Sequence, residues 1–252
     1  MTLARRFSSS LAPLVDFVFP PRCPLCGEGL AAQTGLCAAC WGELAIPGDP
    51  ACASCNRPFG DGSVQHGAIC APCLASPPRH DGIAAGTLYN DASRRLVLAF
   101  KHGRRIALAP MLARLIAARL PAMDGEWLIV PVPLHRLRLW QRGFNQAVLI
   151  GRELAKAKGG HLVVDALQRR KRTPKLGGLG RKARARMLQG AITVNPARRP
   201  ALKGAKVLLV DDVLTSGATS EACVSALKRA GAEMVVIACF ARVLDEALDA
   251  VS

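Results

Sequence analysis

The chain is poor in aromatic residues and has no long apolar run. Phe, Trp and Tyr make up 4% of its 252 residues, so surfaces that could stack on bases must be few. The longest apolar runs, such as residues 127–130 and 235–241, are far shorter than the roughly 20 residues of a membrane-spanning helix. Hydrophobic residues still make up 50% of the chain, which is enough for the core of one or two soluble domains.

A convincing export signal is also missing. Arg5 and Arg6 precede an apolar stretch, but Asp16 interrupts it and Cys23 follows without a small-residue cleavage site. We therefore predict a cytoplasmic protein in which residues 1–20 form a short amphipathic helical segment that docks on the residues after it.

Acidic residues are scarce and unevenly placed. The net charge is +16, yet residues 1–80 hold five basic and five acidic residues, so the whole excess lies in residues 81–252. Between Asp165 and Asp211 there are thirteen Lys or Arg and no acid. A solvated basic loop would account for this run, but its one-sided charge favours a phosphate-bearing partner or nucleic acid.

Eight of the ten cysteines form four Cys-x-x-Cys pairs. Two intervening residues let both thiolates of a pair bind one cation, and we call each such pair a knuckle. Two knuckles supply the four ligands of a tetrahedral site. The pairs therefore predict two zinc ions in a double zinc-ribbon module of residues 21–78. The predicted ligands are Cys23, Cys26, Cys37, Cys40, Cys52, Cys55, Cys70 and Cys73.

Other interpretations of these cysteines are a disulfide framework and an iron–sulfur cluster. Disulfides are disfavoured because no export signal precedes them. An all-cysteine shell leaves no open position for water, so we interpret both zinc ions as structural. Sequential pairing of the knuckles is simplest, and the spacing leaves an interleaved cross-brace open. Cys223 and Cys239 lie in apolar runs and are predicted core residues.

From residue 79 onward the pattern alternates between strand-like and helix-like segments. Apolar runs without period-two alternation indicate a parallel sheet covered on both faces, and the alternation indicates a doubly wound α/β domain over residues 79–252. We predict strands at 82–90, 126–134, 161–169, 191–194, 206–212 and 233–243, and helices at 91–103, 107–120, 143–159 and 217–231. Lys101 and Arg104 are interpreted as the exposed end of the first of these helices, with a position near the binding site as the alternative.

One strand-to-helix turn combines acids with phosphate-binding chemistry. In residues 207–220, VLLVDDVLTSGATS, an apolar strand runs into Asp211 and Asp212, and a hydroxyl-rich turn with Gly217 then opens a helix. Helix-start amides bind anions, and ligands of open α/β sheets lie at the carboxyl ends of strands. Phosphate at the turn and sugar hydroxyls at the acids would suit a ribose 5-phosphate. Alternatively, Asp211 ends the strand and Asp212 stabilises the turn.

This stretch resembles the phosphoribosyl-diphosphate signature of type I phosphoribosyltransferases. The resemblance implies that Asp211 and Asp212 meet the ribose hydroxyls, with Mg²⁺ accompanying the sugar diphosphate. It assigns the 5-phosphate to the turn. The implied phosphate- and ribose-binding residues are Asp211, Asp212, Val213, Leu214, Thr215, Ser216, Gly217, Ala218 and Thr219.

Three further motifs are similar to the ComF (competence protein F) family. They are FPPRCPLCG near residue 23, LYNDASRRLVLAFKHG from residue 88, and IVPVP followed by RGFNQ from residue 129. The resemblance implies a small double zinc ribbon followed by a type I phosphoribosyltransferase-like domain with a mainly parallel sheet. It also places diphosphate binding after IVPVP. The implied diphosphate residues are Arg136, Arg138, Arg142, Gly143 and Asn145.

The segment RKRTPKLGGLGRKARARMLQGAI departs from that family. By the resemblance, it corresponds to the mobile loop that covers the transferase active site. Arg172, Thr173 and Arg184 agree with the family's pattern in this loop. Leu176 and Met187 stand where the family often has Gln and Asn. We expect the absence of these two polar side chains to affect catalytic turnover more than phosphate binding.

Three functions remain open at this point. The family name implies handling of single-stranded DNA in natural transformation, with competence-machinery proteins as further partners. The candidate stacking residues are Trp41, Phe59, Trp127, Trp140 and Phe144. Alternatively, the protein is an active phosphoribosyltransferase that transfers ribose 5-phosphate to a nitrogen acceptor, or a sensor of phosphoribosyl diphosphate.

Overall fold

The main sheet of the protein is entirely parallel. We describe a computed structural model in which residues 20–32, 34–60, 62–103, 105–170 and 190–244 are defined. The strands are β1 (Ile83–Leu88), β2 (Trp127–Pro131), β3 (His161–Leu162), β4 (Leu167–Arg169), β5 (Ile192–Val194), β6 (Lys206–Leu214) and β7 (Met234–Arg242). Five of them form one sheet in the order β1-β7-β6-β2-β3, and β4 pairs with β5 in a separate antiparallel hairpin.

Eight α-helices accompany these strands in the described ranges. They are α1 (Ala38–Gly42), α2 (Ala71–Ala75), α3 (Asp91–Lys101), α4 (Ala109–Ala117), α5 (Arg136–Arg142), α6 (Gln146–Lys158), α7 (Arg199–Leu202) and α8 (Ala218–Arg229). Short 3₁₀ turns cover Ile106–Leu108 and Pro196–Arg198. The side chain of Asn90 and that of Ser93 form a reciprocal capping box that fixes the start of α3.

Apolar side chains cover both faces of the sheet. On β6, Val207 and Leu209 join a cluster that includes residues of α8, whereas Leu208 and Val210 join one that includes residues of α3, α4 and α6. This division follows from the alternation of side chains along a strand. The predicted doubly wound, mainly parallel α/β fold is therefore confirmed.

Two local predictions were wrong. Residues 161–169 are not one strand: β3 ends at Leu162, and β4 leaves the main sheet to pair with β5. The turn between β3 and β4 separates two short apolar runs that look continuous in the sequence.

Helix α5 was not predicted because all its described side chains are partly or fully exposed, so it has no apolar stripe directed at a core.

The cysteine-rich residues dock directly on the α/β domain. Leu44 lies in the core cluster of α3, α4 and α6, and Cys52, Cys55 and Cys70 lie in the cluster of α8. A hydrogen bond reinforces each contact: Thr87 Oγ1 donates to the Ala45 carbonyl over 2.8 Å, and Asn56 Nδ2 donates to the Ile83 carbonyl of β1 over 3.0 Å. The two ribbons therefore share cores with opposite faces of the sheet.

Within the described ranges, no helix combines the length and apolar character needed to cross a membrane. The predicted N-terminal helical segment, residues 1–20, lies outside the described residues except at its last position.

Candidate functional site

The eight paired cysteines form two compact clusters. One contains Cys23, Cys26, Cys37 and Cys40, and the other contains Cys52, Cys55, Cys70 and Cys73. Within each cluster all four sulfurs lie within 4.8 Å of one another. Zinc bound tetrahedrally at ~2.3 Å per bond separates its sulfur ligands by about 3.8 Å. The Cys26–Cys37 and Cys55–Cys70 sulfur distances of 3.5 Å and 3.8 Å fit that geometry. The two structural zinc sites are therefore supported, with sequential pairing.

Backbone amides point at sulfurs in both clusters. The N–H of Cys40 donates to Cys37 Sγ over 3.5 Å, and the N–H of Cys70 donates to Cys52 Sγ over 3.2 Å. Burial by itself would raise the pKa of the Cys52 thiol, but the amides of Cys70, Cys55 and Ser54 lower that pKa to about 6. These donors stabilise the thiolate form that a metal requires.

Arg242 connects the second zinc site to the sheet. Its guanidinium donates to the Cys55 carbonyl through Nη1 and to Cys55 Sγ through Nη2, the latter over 3.3 Å. Arg242 is the last residue of β7 and lies in register with Leu214, the last residue of β6. The zinc site is therefore fixed to the strand end from which the hydroxyl-rich turn begins.

The turn after β6 joins the strand directly to the start of a helix. Val213 and Leu214 continue the strand, Thr215 and Ser216 form the turn, and Gly217 precedes α8 with φ +73°. The N-cap residue is glycine, and among the described residues no side chain caps the start of α8, so its first amides keep their hydrogen-bonding capacity.

The hydroxyls beside these amides are also available. In residues 20–170 and 190–244 as described, none of the hydroxyls of Thr215, Ser216 and Thr219 makes a hydrogen bond. Ala218, the first residue of α8, is buried and anchors the helix start. Three hydroxyl-bearing residues thus lie within five positions at the start of α8.

The two acids lie on β6 just before this turn. The N–H of Asp212 donates to Asp211 Oδ1 over 2.9 Å, and Asp212 Oδ2 forms an ion pair with Lys101 Nζ at 3.0 Å. Burial and the neighbouring Asp212 carboxylate raise the pKa of Asp211 to about 7, although Lys101 acts in the opposite direction. Lys101 therefore lies beside the acid pair, which agrees with the alternative interpretation and not with that of an exposed helix end.

Arg169 is a second charged residue that the sequence did not single out for this site. It lies on β4, and burial and the Arg138 charge lower its pKa while the carboxylate of Asp211 raises it. The hairpin of β4 and β5 thus brings Arg169 within electrostatic range of both Asp211 and Arg138. No local spacing predicts this arrangement, because the three residues belong to different elements.

The residues implied as diphosphate ligands lie on helix α5 or directly after it. Arg136, Arg138 and Arg142 lie on the helix, and Gly143 ends it with φ +78°. Asn145 caps α6 by accepting from the Ala147 N–H and also donates to the Val132 carbonyl over 3.1 Å. Arg142 donates to Gln146 Oε1 over 3.2 Å. Arg172, Thr173 and Arg184 lie outside the described residues, as does Arg104.

A cavity of about 390 Å³ lies between the turn and the second zinc ribbon. Its apolar wall includes Ile83, Val224 and Ile237, and Arg79 and Glu221 are among its charged residues. Thr215, Ser216 and Gly217 also line it. The turn is therefore accessible from the ribbon side as well.

Comparison with known proteins agrees with this architecture. Residues 14–76 match a family model described as a double zinc ribbon domain, and residues 152–250 match one described as a phosphoribosyl transferase domain. Three relatives span nearly the whole chain. The DNA utilization protein YhgH of Salmonella typhi is 31% identical over 89% of this chain and 98% of its own length.

The second and third relatives are slightly more distant. Competence protein F of Haemophilus influenzae is 29% identical over 86% of this chain and 94% of its own. The DNA utilization protein YhgH of Escherichia coli K12 is 28% identical over 89% and 98%, respectively. Given this similarity along almost the full length, the chain belongs to the ComF (competence protein F) family, in which a double zinc ribbon precedes a phosphoribosyltransferase domain.

Proposed function

We propose that the protein binds phosphoribosyl diphosphate together with Mg²⁺ at the junction of β6 and α8. The observation that carries the proposal is the turn of Thr215–Gly217, where uncapped helix amides and free hydroxyls meet. The amides and the helix dipole favour an anion of the size of a 5-phosphate. The ribose then extends toward the strand that carries the acids.

The acid pair suits the sugar rather than the phosphate. Carboxylates accept hydrogen bonds from hydroxyls and supply oxygen ligands to Mg²⁺, but they repel phosphate. Lys101 and Arg169 place positive charge close to them, where the diphosphate group needs compensation. Arg138 is a proposed contact of that diphosphate. Arg136, Arg142 and Gly143 are further proposed diphosphate contacts, and the Asn145 side chain positions them by capping α6.

Single-stranded DNA is the proposed macromolecular partner, in the cytoplasm and alongside proteins of the competence machinery. The names of the relatives, Competence protein F and DNA utilization protein, point to DNA. The net charge of +16 provides a sequence-independent attraction for phosphates. We expect affinity for single strands to fall with salt, by a log–log slope of about −0.7 per neutralised phosphate.

Calorimetric titration with phosphoribosyl diphosphate and Mg²⁺ tests the first part of this proposal. We expect saturable binding by the wild-type protein and none by Asp211→Ala/Asp212→Ala. Retention of labelled single-stranded oligonucleotides at several salt concentrations tests the second part. Sugar-diphosphate binding without DNA binding or turnover would instead support a metabolite sensor.

An enzymatic function is the alternative that the charged cluster favours. Transfer of ribose 5-phosphate breaks the bond from C1 to diphosphate, and Arg138 and Arg169 lie where positive charge would stabilise the leaving group. The measurement is diphosphate release with a panel of nitrogen bases. Release above the rate of Asp211→Ala/Asp212→Ala would establish turnover, and its absence with every base would oppose it.

A further inference from the structure

Helix α5 presents a large aromatic side chain to solvent. Trp140 is 84% exposed, and its neighbours Leu137 and Leu139 are 47% and 42% exposed. No residue of α5 is buried. Apolar side chains gathered in one exposed place usually mark an interaction surface. We call Arg136–Arg142 with its exposed side chains the α5 surface.

The other candidate stacking residues pack against the protein or lie on a helix without basic residues. Trp127 is 3% exposed and lies in the core, and Phe144 packs against Phe100 with ring centroids 6.3 Å apart. Phe59 packs on the core cluster beside α8. Trp41 is 47% exposed, but α1 carries no basic residue and Glu43 follows it. Trp140 is the candidate that is both largely exposed and on a basic helix.

The positive charge of the α5 surface favours an anionic partner. Its seven residues include Arg136, Arg138 and Arg142 and no acid. Arg136 lies four positions before Trp140, so both project from one face of the helix. A planar ring beside a cation suits a chain that alternates bases with phosphates, because each base has a face for stacking and each linkage carries a negative charge.

We propose that the α5 surface binds single-stranded nucleic acid, with Trp140 stacking on a base while the positive charge of the helix attracts the adjacent phosphates. This inference rests on the proposed DNA-handling function and names the surface that performs it. Helix α5 also carries Arg138 and Arg142, two of the proposed diphosphate contacts, so the strand passes close to the sugar-diphosphate site.

Fluorescence anisotropy of a labelled oligothymidylate with the full-length protein tests the assignment. We expect Trp140→Ala to weaken binding about tenfold and Trp140→Tyr to retain most of the affinity, since tyrosine still stacks. The salt slope should be the same for Trp140→Ala and wild type, because no phosphate contact is lost. Trp41→Ala is the matched control and should bind as wild type does.

The outcomes separate this inference from the function on which it rests. If the wild type binds no oligonucleotide, DNA handling fails and the α5 surface assignment fails with it. If the wild type binds and Trp140→Ala binds equally well, only the assignment is wrong. It is also wrong if Trp140→Ala keeps its DNA affinity but changes the oligomeric state, since a second copy of the chain then covers the helix. Unchanged affinity of Trp140→Ala for phosphoribosyl diphosphate would show that the variant is folded.

Discussion

The Nζ of Lys101 lies 3.0 Å from Asp212 Oδ2, and the side chains are 21% and 13% exposed. Lys101 is the last residue of α3, and Asp212 is near the end of β6. The contact thus connects two elements far apart in the sequence at the proposed sugar site. It also compensates part of the negative charge of two adjacent carboxylates.

Removing this cation should destabilise the protein. We expect Lys101→Met to lower the free energy of unfolding by about 1–3 kcal/mol at pH 8, because a largely buried carboxylate loses its partner. The loss should be smaller at pH 5, where Asp211 is protonated. Arg95→Met is the matched control: its ion pair with Glu43 is about half exposed, so about 0–1 kcal/mol is expected. Urea titrations of both variants would measure the difference, and equal losses would contradict this account.

The raised pKa of Asp211 predicts a stability that depends on pH. The folded protein holds this proton up to about pH 7, whereas an unfolded chain releases it near the ordinary value of 3.8. The native state therefore binds more protons in this window, and the contribution of Asp211 to stability declines as pH rises through it.

Asp211→Asn removes the cost of that charge. We expect the variant to exceed wild type in stability by about 1–3 kcal/mol at pH 8, with the difference disappearing toward pH 4. Thermal melts without ligand at a series of pH values would show this. A variant that is less stable than wild type at pH 8 would mean that the Asp211 charge is well compensated.

Gly217 allows a test of the anion site with a matched glycine. Gly217 and Gly204 have φ values of +73° and +71°, and a Cβ on either would meet no atom within 4 Å. Alanine at each position should therefore cost a similar backbone strain of about 1–2 kcal/mol. Only Gly217→Ala should weaken binding of phosphoribosyl diphosphate, because Gly217 shapes the turn at the start of α8. Equal affinities in calorimetry would place the phosphate elsewhere.

The hydrogen bond from Arg242 to Cys55 Sγ predicts that Arg242 raises the zinc affinity of the second site. Hydrogen-bond donors around a metal site typically contribute 10–100-fold to metal affinity. We expect Arg242→Gln to accelerate zinc release to a chromogenic chelator for one of the two ions and to leave the other unchanged.

Arg105→Gln provides the comparison, since Arg105 donates to the Pro24 carbonyl of the first ribbon and to no sulfur. It should remove a docking contact without accelerating release from the second site. If both ions leave Arg242→Gln at the wild-type rate, the guanidinium does not stabilise the thiolate.

The sequence revealed what depends on local spacing. Four Cys-x-x-Cys pairs specify two metal clusters, and an apolar run followed by acids and glycine specifies the end of β6 and the start of α8. The predicted strand stopped at residue 212, whereas β6 continues to Leu214 because Val213 and Leu214 still pair with β7. The domain split predicted near residue 80 stays a prediction.

What the sequence did not reveal depends on tertiary structure. Lys101 approaches the acid pair only because α3 ends beside β6, and no pattern within either segment shows that. The electrostatic effect of Arg169 on Asp211 likewise depends on the placement of the β4–β5 hairpin. The choice between sequential and cross-braced zinc pairing was likewise decided by which sulfurs the fold brings together. Trp140 could be named as a stacking candidate, but its exposure depends on how little of α5 the core covers.

The central claim is that the start of α8 binds the phosphate of a phosphoribosyl group whose hydroxyls face Asp211 and Asp212. Crystals of the protein soaked with phosphoribosyl diphosphate and Mg²⁺ test it most directly. We expect difference density with the 5-phosphate within hydrogen-bond distance of the amides of Gly217, Ala218 and Thr219. Density for the sugar diphosphate at any other position, with these amides left without ligand, would contradict the account.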